Sequence, residues 1–262
     1  MMLEPRAAMT IPVLAALRAA RPNRPTPRGT MATLQAHEVH FTYPGSSEEV
    51  VTNWSHTFNA GQITAMTGES GCGKSTRLFL AALLIRPRSG EILLDGERVD
   101  NLSDAQRSHI RAHNFGFVFQ DSALDTTRTV LDNVLESCLY RGQAAKEHAA
   151  YARELLATMN VDVPLDRRPG QISGGQAQRI ALCRALLGRP RVIFADEPTG
   201  NLDPDSGQAV MNMLRRAANE GASVIVVTHD PQVAAFSDQH VHIPAPTRAA
   251  TSAQMPEIRG AR

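Results

Sequence analysis

The sequence predicts an α/β fold: a mostly parallel sheet, with an antiparallel β subdomain and a helical subdomain attached. Three observations predict it. The apolar runs ITAMTG (63–68), VIFAD (192–196) and SVIVVTHD (223–230) are short, β-branched and nearly continuous, as befits strands buried on both faces. Helical patterns at 75–86, about 129–140, 143–159, 175–187 and 205–219 separate them, which implies right-handed crossovers. The stretch 34–58 reads instead as antiparallel strands around the turn Tyr43-Pro44-Gly45-Ser46. Residues from about 121 to 172 lack strand signals and read as the helical subdomain, and no internal repeat is present.

From the start of the chain, residues 1–30 carry five Arg, one Glu and five of the 16 prolines. RPNRPTPRGT (21–30) has a disordered or polyproline composition. Two readings stand: a targeting or membrane-surface arm, or a natural start at Met31, where MATLQAHEVHFTYPG opens a patterned domain. The apolar stretch Met9–Leu17 is interrupted by Pro12. It falls well short of the ~18 apolar residues of a membrane helix. LFLAALLI (78–85) is eight residues long and reads as part of a buried helix. The patterned domain runs over 31–243, and 244–262 reads as a disordered, basic tail.

The 27 Lys+Arg nearly balance the 26 Asp+Glu, for a net charge of +1. That average hides an acidic middle: the first 30 residues carry +4, residues 244–262 carry +2, and the remainder −5. Such a middle gives no support to nucleic-acid binding by phosphate neutralisation. Cys72, Cys138 and Cys183 form no C-x-x-C pair, which favours a reducing compartment.

The strongest chemical signal is Gly68-Glu69-Ser70-Gly71-Cys72-Gly73-Lys74-Ser75-Thr76. It fits G-x-x-x-x-G-K-[ST] between a predicted strand and a predicted helix, the context of a phosphate-binding loop. The glycines let successive N–H groups turn inward, and the helix start adds its positive dipole end. Lys74 can reach the β and γ phosphates, and Ser75 can ligate Mg²⁺. A second signal is Asp196-Glu197 at the end of VIFAD. Asp196 can hold Mg²⁺ through water, and Glu197 can orient and deprotonate an attacking water. The third is Ile172-Ser173-Gly174-Gly175-Gln176, a good N-cap followed by glycines with bare N–H groups. One nucleotide does not need two phosphate cradles, so the second is expected to serve the nucleotide of another subunit.

Together these segments make the sequence resemble the ATP-binding subunits of ABC transporters over roughly 33–243, with Lys74, Gln120, Ser173, Glu197 and His229 in the family's order. The resemblance implies a P-loop ATPase core and a head-to-tail dimer around two ATP molecules with Mg²⁺. Each ATP would lie between one subunit's phosphate loop and the other's ISGGQ segment. It implies that Tyr43 stacks on adenine, that Gln120 senses Mg²⁺ and the γ-phosphate, and that His229 holds the γ-phosphate. Asn201-Leu202-Asp203 would cross the dimer interface. A transmembrane permease is the implied partner, and the inner face of the cell membrane the implied location. DEPTGNLD (196–203) and LSDAQRSHIRAHNFGFVFQ (102–120) look like the lipoprotein-release, macrolide-export and cell-division branch.

Some residues depart from the family pattern. Arg77 puts a cation in a helix's first turn, which is mildly unfavourable unless it finds an acid or phosphate. Thr126 stands where a proline is common, and Ala177 where a polar residue is usual. None removes a catalytic group. Cys72, near Lys74, is either a reactive thiol or an ordinary loop residue. His109 and His113 are spaced i, i+4 but lack a completing ligand, so a solvated helix face outweighs a metal site. Trp54 reads as packing.

Two other functions compete with transport. A soluble ABC-type ATPase of DNA maintenance or translation would need a long coiled-coil insertion or a second ATPase domain, and the sequence offers neither. A regulatory module that binds nucleotide without turnover is disfavoured by the presence of both Glu197 and His229.

Overall fold

The computed structural model describes residues 33–200 and 202–244. The expectations for residues 1–30, for Asn201 and for 245–262 lie outside the described residues.

The chain begins with β1 (Leu34–Thr42) and β2 (Glu49–Phe58), an antiparallel pair around the Tyr43–Ser46 turn, closed by Ser46 N–H donating to the Tyr43 carbonyl at 3.0 Å. β3 (Ile63–Thr67) leads into the glycine loop and α1 (Lys74–Ala81). Strands β4 (Ser89–Leu94) and β5 (Glu97–Arg98) return to the first sheet, giving the antiparallel order β2-β1-β4-β5. Next come α2 (Asp104–Asn114) and β6 (Phe115–Val118). Residues 121–172 hold α3 (Val130–Tyr140), α4 (Ala145–Thr158) and a 3-10 turn at Pro169–Gln171. The chain continues through α5 (Gly174–Leu187), β7 (Val192–Asp196), α6 (Pro204–Asn219), β8 (Ser223–Val227), α7 (Pro231–Phe236) and β9 (Gln239–His242).

The second sheet is parallel throughout, in the order β6-β7-β8-β3-β9. Its alternation explains the continuous apolar runs. Ile193, Ala195, Val224 and Val226 face one core with α3, α4, α5 and α6. Val192, Phe194, Ile225 and Val227 face the other, with α1 and the antiparallel sheet. Each strand is thus apolar on both faces because each face is covered.

The helix expected over 75–86 ends at Ala81 instead. Leu83 takes φ +58°, its N–H donates to the Leu80 carbonyl, and the Leu84 N–H donates to the Phe79 carbonyl at 2.9 Å. This is a left-handed helix stop in which leucine occupies the place usually held by glycine. Pro87 keeps the chain from resuming the helix. Leu84 is therefore exposed, whereas Leu78, Leu80 and Leu83 are buried.

The pattern had not singled out β4, β5, β6, α7 or β9, and it touched α2 only through the His109 and His113 spacing. α2 is opened by a capping box. The Ser103 side chain accepts from the Gln106 N–H, and the Gln106 side chain accepts from the Ser103 N–H. Trp54 is buried and packs near Phe58, with ring centroids 6.2 Å apart, in keeping with a packing role.

Candidate active site

The carboxyl ends of β3, β7 and β8 meet at one edge of the parallel sheet, where open α/β sheets place their ligand crevices. After β3, Gly68, Gly71 and Gly73 take φ of +148°, +81° and +86°. At Gly68 a Cβ would lie 2.3 Å from the Ile243 carbonyl oxygen, so only glycine fits beneath the chain leaving β9. Gly73 is the left-handed N-cap of α1 and has no side chain to block the helix end. Glu69, Ser70 and Gly71 are exposed, whereas Cys72 is buried. The Lys74 ammonium donates to the Gly68 and Glu69 carbonyls, both at 2.8 Å, so it folds back over the loop.

Arg77 does not stand free in the first turn. It is buried, and Nη1 donates to the Cys72 carbonyl at 3.0 Å and the Gly73 carbonyl at 3.2 Å. The expected helix-dipole penalty is thus met by loop carbonyls, not by an acid or phosphate. Burial holds its pKa below the usual arginine value.

β7 ends on Asp196, whose carboxyl is pushed up by burial and by the neighbouring Glu197, against the opposing Ser75 hydrogen bond and Lys74 charge. Glu197 follows at φ +46°, a left-handed conformation that non-glycine residues rarely adopt. It is held there by its N–H, which donates to the Val227 carbonyl at 2.9 Å. Its carboxylate meets His229 Nδ1 at 2.7 Å and accepts from the Thr228 hydroxyl at 3.3 Å. The bond to Glu197 and the charge of Glu197 raise the His229 pKa above 6.5.

Lys74, Ser75, Asp196, Glu197 and His229 are thus brought into one cluster. Tyr43 joins it indirectly, its hydroxyl 3.0 Å from the Thr76 hydroxyl, and its ring remains exposed. Gln120 lies in the exposed turn after β6. Next to it, the Phe119 carbonyl accepts from Gln178 Nε2 at 3.0 Å. The Ser173–Gln176 segment opens α5 with a capping box that bonds the Ser173 and Gln176 side chains to each other's backbone. Gly174 is exposed there, and a Cβ on Gly175 would approach Leu202 at 3.5 Å. Asp203 caps α6 by accepting from the Ser206 N–H, which lowers its pKa.

Sequence reasoning missed two groups here, Thr228 and Asn133, and the anchoring role of a third, Arg77. Thr228 supports Glu197, and Arg77 anchors the loop. Asn133, fully buried, ties α3 to the segment after Gln120. At the Thr126 departure, the Asp125 carboxylate accepts from the Thr127 N–H and hydroxyl and from Arg128, a side-chain turn where a proline is common. His109 and His113 stack with centroids 4.0 Å apart. Among the described residues no group of three or more His, Cys, Asp or Glu side chains is placed to hold a metal.

The sequence profile of the ABC transporter family matches residues 51–200, more than half of the chain. The chain belongs to the ABC transporter family. Among ABC relatives, the lipoprotein-releasing system ATP-binding protein LolD of Myxococcus xanthus is 39% identical over 207 residues, covering 78% of this chain and 92% of LolD. The macrolide export ATP-binding/permease protein MacB 1/2 of Paracoccus denitrificans is 42% identical over 194 residues, 74% of this chain. This chain spans only 29% of that protein's length. In structure, the dimeric bacterial ABC transporter cassette MJ0796 superposes with a TM-score of 0.75 at 32% identity, over 80% of this chain and 94% of that one. A second structure of the same cassette, in a dimeric post-hydrolysis state bound to ADP and Pi, superposes equally well. No helix among the described residues is long and apolar enough to cross a membrane.

Proposed function

We propose that this chain is the ATP-hydrolysing subunit of a transporter complex, dimerising around two ATP molecules to drive a transmembrane permease of the lipoprotein-release or export type. The observation that carries this is the convergence of Lys74, Ser75, Asp196, Glu197 and His229 at the carboxyl ends of three parallel strands. The likeness to LolD and to the ATP-binding part of MacB supports the branch. On this reading the subunit sits at the inner face of the cell membrane, held there by its permease.

The loop Gly68–Thr76 receives the phosphates of ATP and Tyr43 the adenine. Lys74 leaves the loop carbonyls for the β and γ phosphates. Water attacks the γ-phosphorus, the bond to the β-phosphate oxygen breaks, and ADP and phosphate result. Glu197 orients that water and takes its proton. His229 holds the γ-phosphate. Ser173, Gly174, Gly175 and Gln176 of the second subunit close over the same group, and Asp203 lines the junction.

The donor set suits Mg²⁺: the Ser75 hydroxyl bonds the Asp196 carboxylate, both hard oxygen donors, and Gln120 would add an amide oxygen. When bound there, Mg²⁺ would neutralise charge building on the phosphates.

The test is Glu197→Gln, assayed by light scattering with millimolar ATP. A stable ATP-containing dimer is expected, with turnover lowered about 10²- to 10⁴-fold. A variant that stays monomeric and nucleotide-free overturns the proposal.

A further inference from the structure

Arg77 is an anomaly at the phosphate loop. It is 9% exposed, yet no carboxylate faces it among the described residues, and the only charge that favours its cationic form is that of the Cys72 thiol. Its Nε has no hydrogen-bond partner among the described residues. A buried guanidinium without a carboxylate, and with one donor unmet, opposes folding. What it gains is local: Nη1 bridges the Cys72 and Gly73 carbonyls. Nη1 also lies close against Gly73, where an added Cβ would meet it at 2.8 Å and Val50 Cγ1 at 3.0 Å, so a larger residue at 73 would displace it.

These two carbonyls lie in the second half of the loop. Gly71 and Gly73 are left-handed, which turns N–H groups toward one side and carbonyls toward the other. Lys74 holds the first half of the loop through the Gly68 and Glu69 carbonyls. If Lys74 is the group that meets phosphate, its hold there is temporary. Arg77 holds the second half, and its guanidinium bonds only these two carbonyls among the described residues.

We propose that Arg77 is a positioning residue, which keeps the Cys72–Gly73 end of the loop in its anion-ready shape before nucleotide arrives, at the expense of the stability of the fold. This rests on the nucleotide reading of the loop. A residue kept for function at a cost to stability has a distinctive signature: removing it weakens binding without lowering the melting temperature.

The experiment is titration of the full chain with a fluorescent N-methylanthraniloyl ADP, paired with melting of the nucleotide-free protein. It uses Arg77→Leu, Arg77→Met and Arg77→Lys. Leu and Met are expected to weaken binding by about tenfold, with an unchanged or raised melting temperature. Lys, which keeps a cationic donor, recovers part of the affinity. If Arg77→Leu fails to fold, Arg77→Met is read in its place. Binding within about twofold of the wild type in Leu and Met overturns the inference alone. So does a loss of affinity accompanied by lower melting temperatures and not relieved by Lys, because that is a purely structural role. A wild-type chain that binds no probe overturns both the inference and the nucleotide reading beneath it.

Discussion

Asn133→Leu tests how the segment after Gln120 is held. Asn133 is fully buried on α3. Its Oδ1 accepts from the Asp125 N–H at 2.8 Å, and its Nδ2 donates to the Asp125 carbonyl at 3.0 Å and the Thr129 carbonyl at 2.9 Å. The two carbonyls have second partners, since the Arg128 N–H donates to Asp125 and the Asn133 N–H to Thr129. The Asp125 N–H is left with none. Leucine shares asparagine's branching at Cγ but is larger, so it leaves no cavity and its crowding adds to the polar loss. Two surrendered hydrogen bonds at about 1 kcal/mol each, plus roughly 1–2 kcal/mol for the bare N–H, give a polar loss of at least about 3 kcal/mol. In a domain of this size that lowers the melting temperature by about 6–12 °C. Calorimetry of the full chain measures it. Tryptic cleavage after Arg128 should quicken in parallel as the loop frays. A fall of less than about 2 °C with unaltered cleavage would refute the view that Asn133 organises this loop.

Two further outcomes follow from the titrating groups. The His229 ring should titrate above 6.5 by NMR, and Glu197→Gln should return it toward that value, because both the bond and the charge that raise it are removed. An unchanged midpoint would show that Glu197 is not the cause. The sign for stability is definite. A raised histidine contributes fully below 6.5 and loses that contribution as pH rises through its folded pKa, and the exposure of His229 keeps the amount small. For thiols, burial pushes Cys183 up to about 12, and Cys72 and Cys138 are buried too. A thiol reagent at neutral pH should therefore label the native chain slowly and the unfolded chain at once. Rapid labelling of native Cys72 would show that the loop opens.

The parallel strands through Ile63, Val192 and Val224 were legible because each is covered on both faces and leaves a continuous apolar run. β9 was not, because QHVH at the sheet edge joins through its backbone and keeps alternate residues exposed. The end of α1 was misplaced because its stop is the unexpected conformation of Leu83, which no composition signals. In the site, Lys74, Asp196 and Glu197 were legible from local spacing. The Glu197–His229 bond spans 32 residues of sequence, and only the pairing of β7 with β8 creates it. Thr228, Asn133 and the loop-anchoring part of Arg77 depend wholly on tertiary contacts. Their residue types carry no motif.

The polar groups of the candidate site all have protein partners. Lys74 is bound to loop carbonyls, Glu197 to His229 and Thr228, and Ser173 to Gln176. Each such bond is worth on the order of 1 kcal/mol net. Turnover on the proposed pathway requires at least the Lys74 and His229 contacts to be exchanged for phosphate oxygens. The exchange therefore costs a few kcal/mol, an amount that a triphosphate gripped from two sides can offset. Glu197 gains from the same step. With His229 drawn to the γ-phosphate on that pathway, its carboxylate loses its closest hydrogen-bond partner and can accept from water instead. The Glu197–His229 bond is thus the one that ATP binding would exchange on this proposal, which links release of the carboxylate to completion of the site.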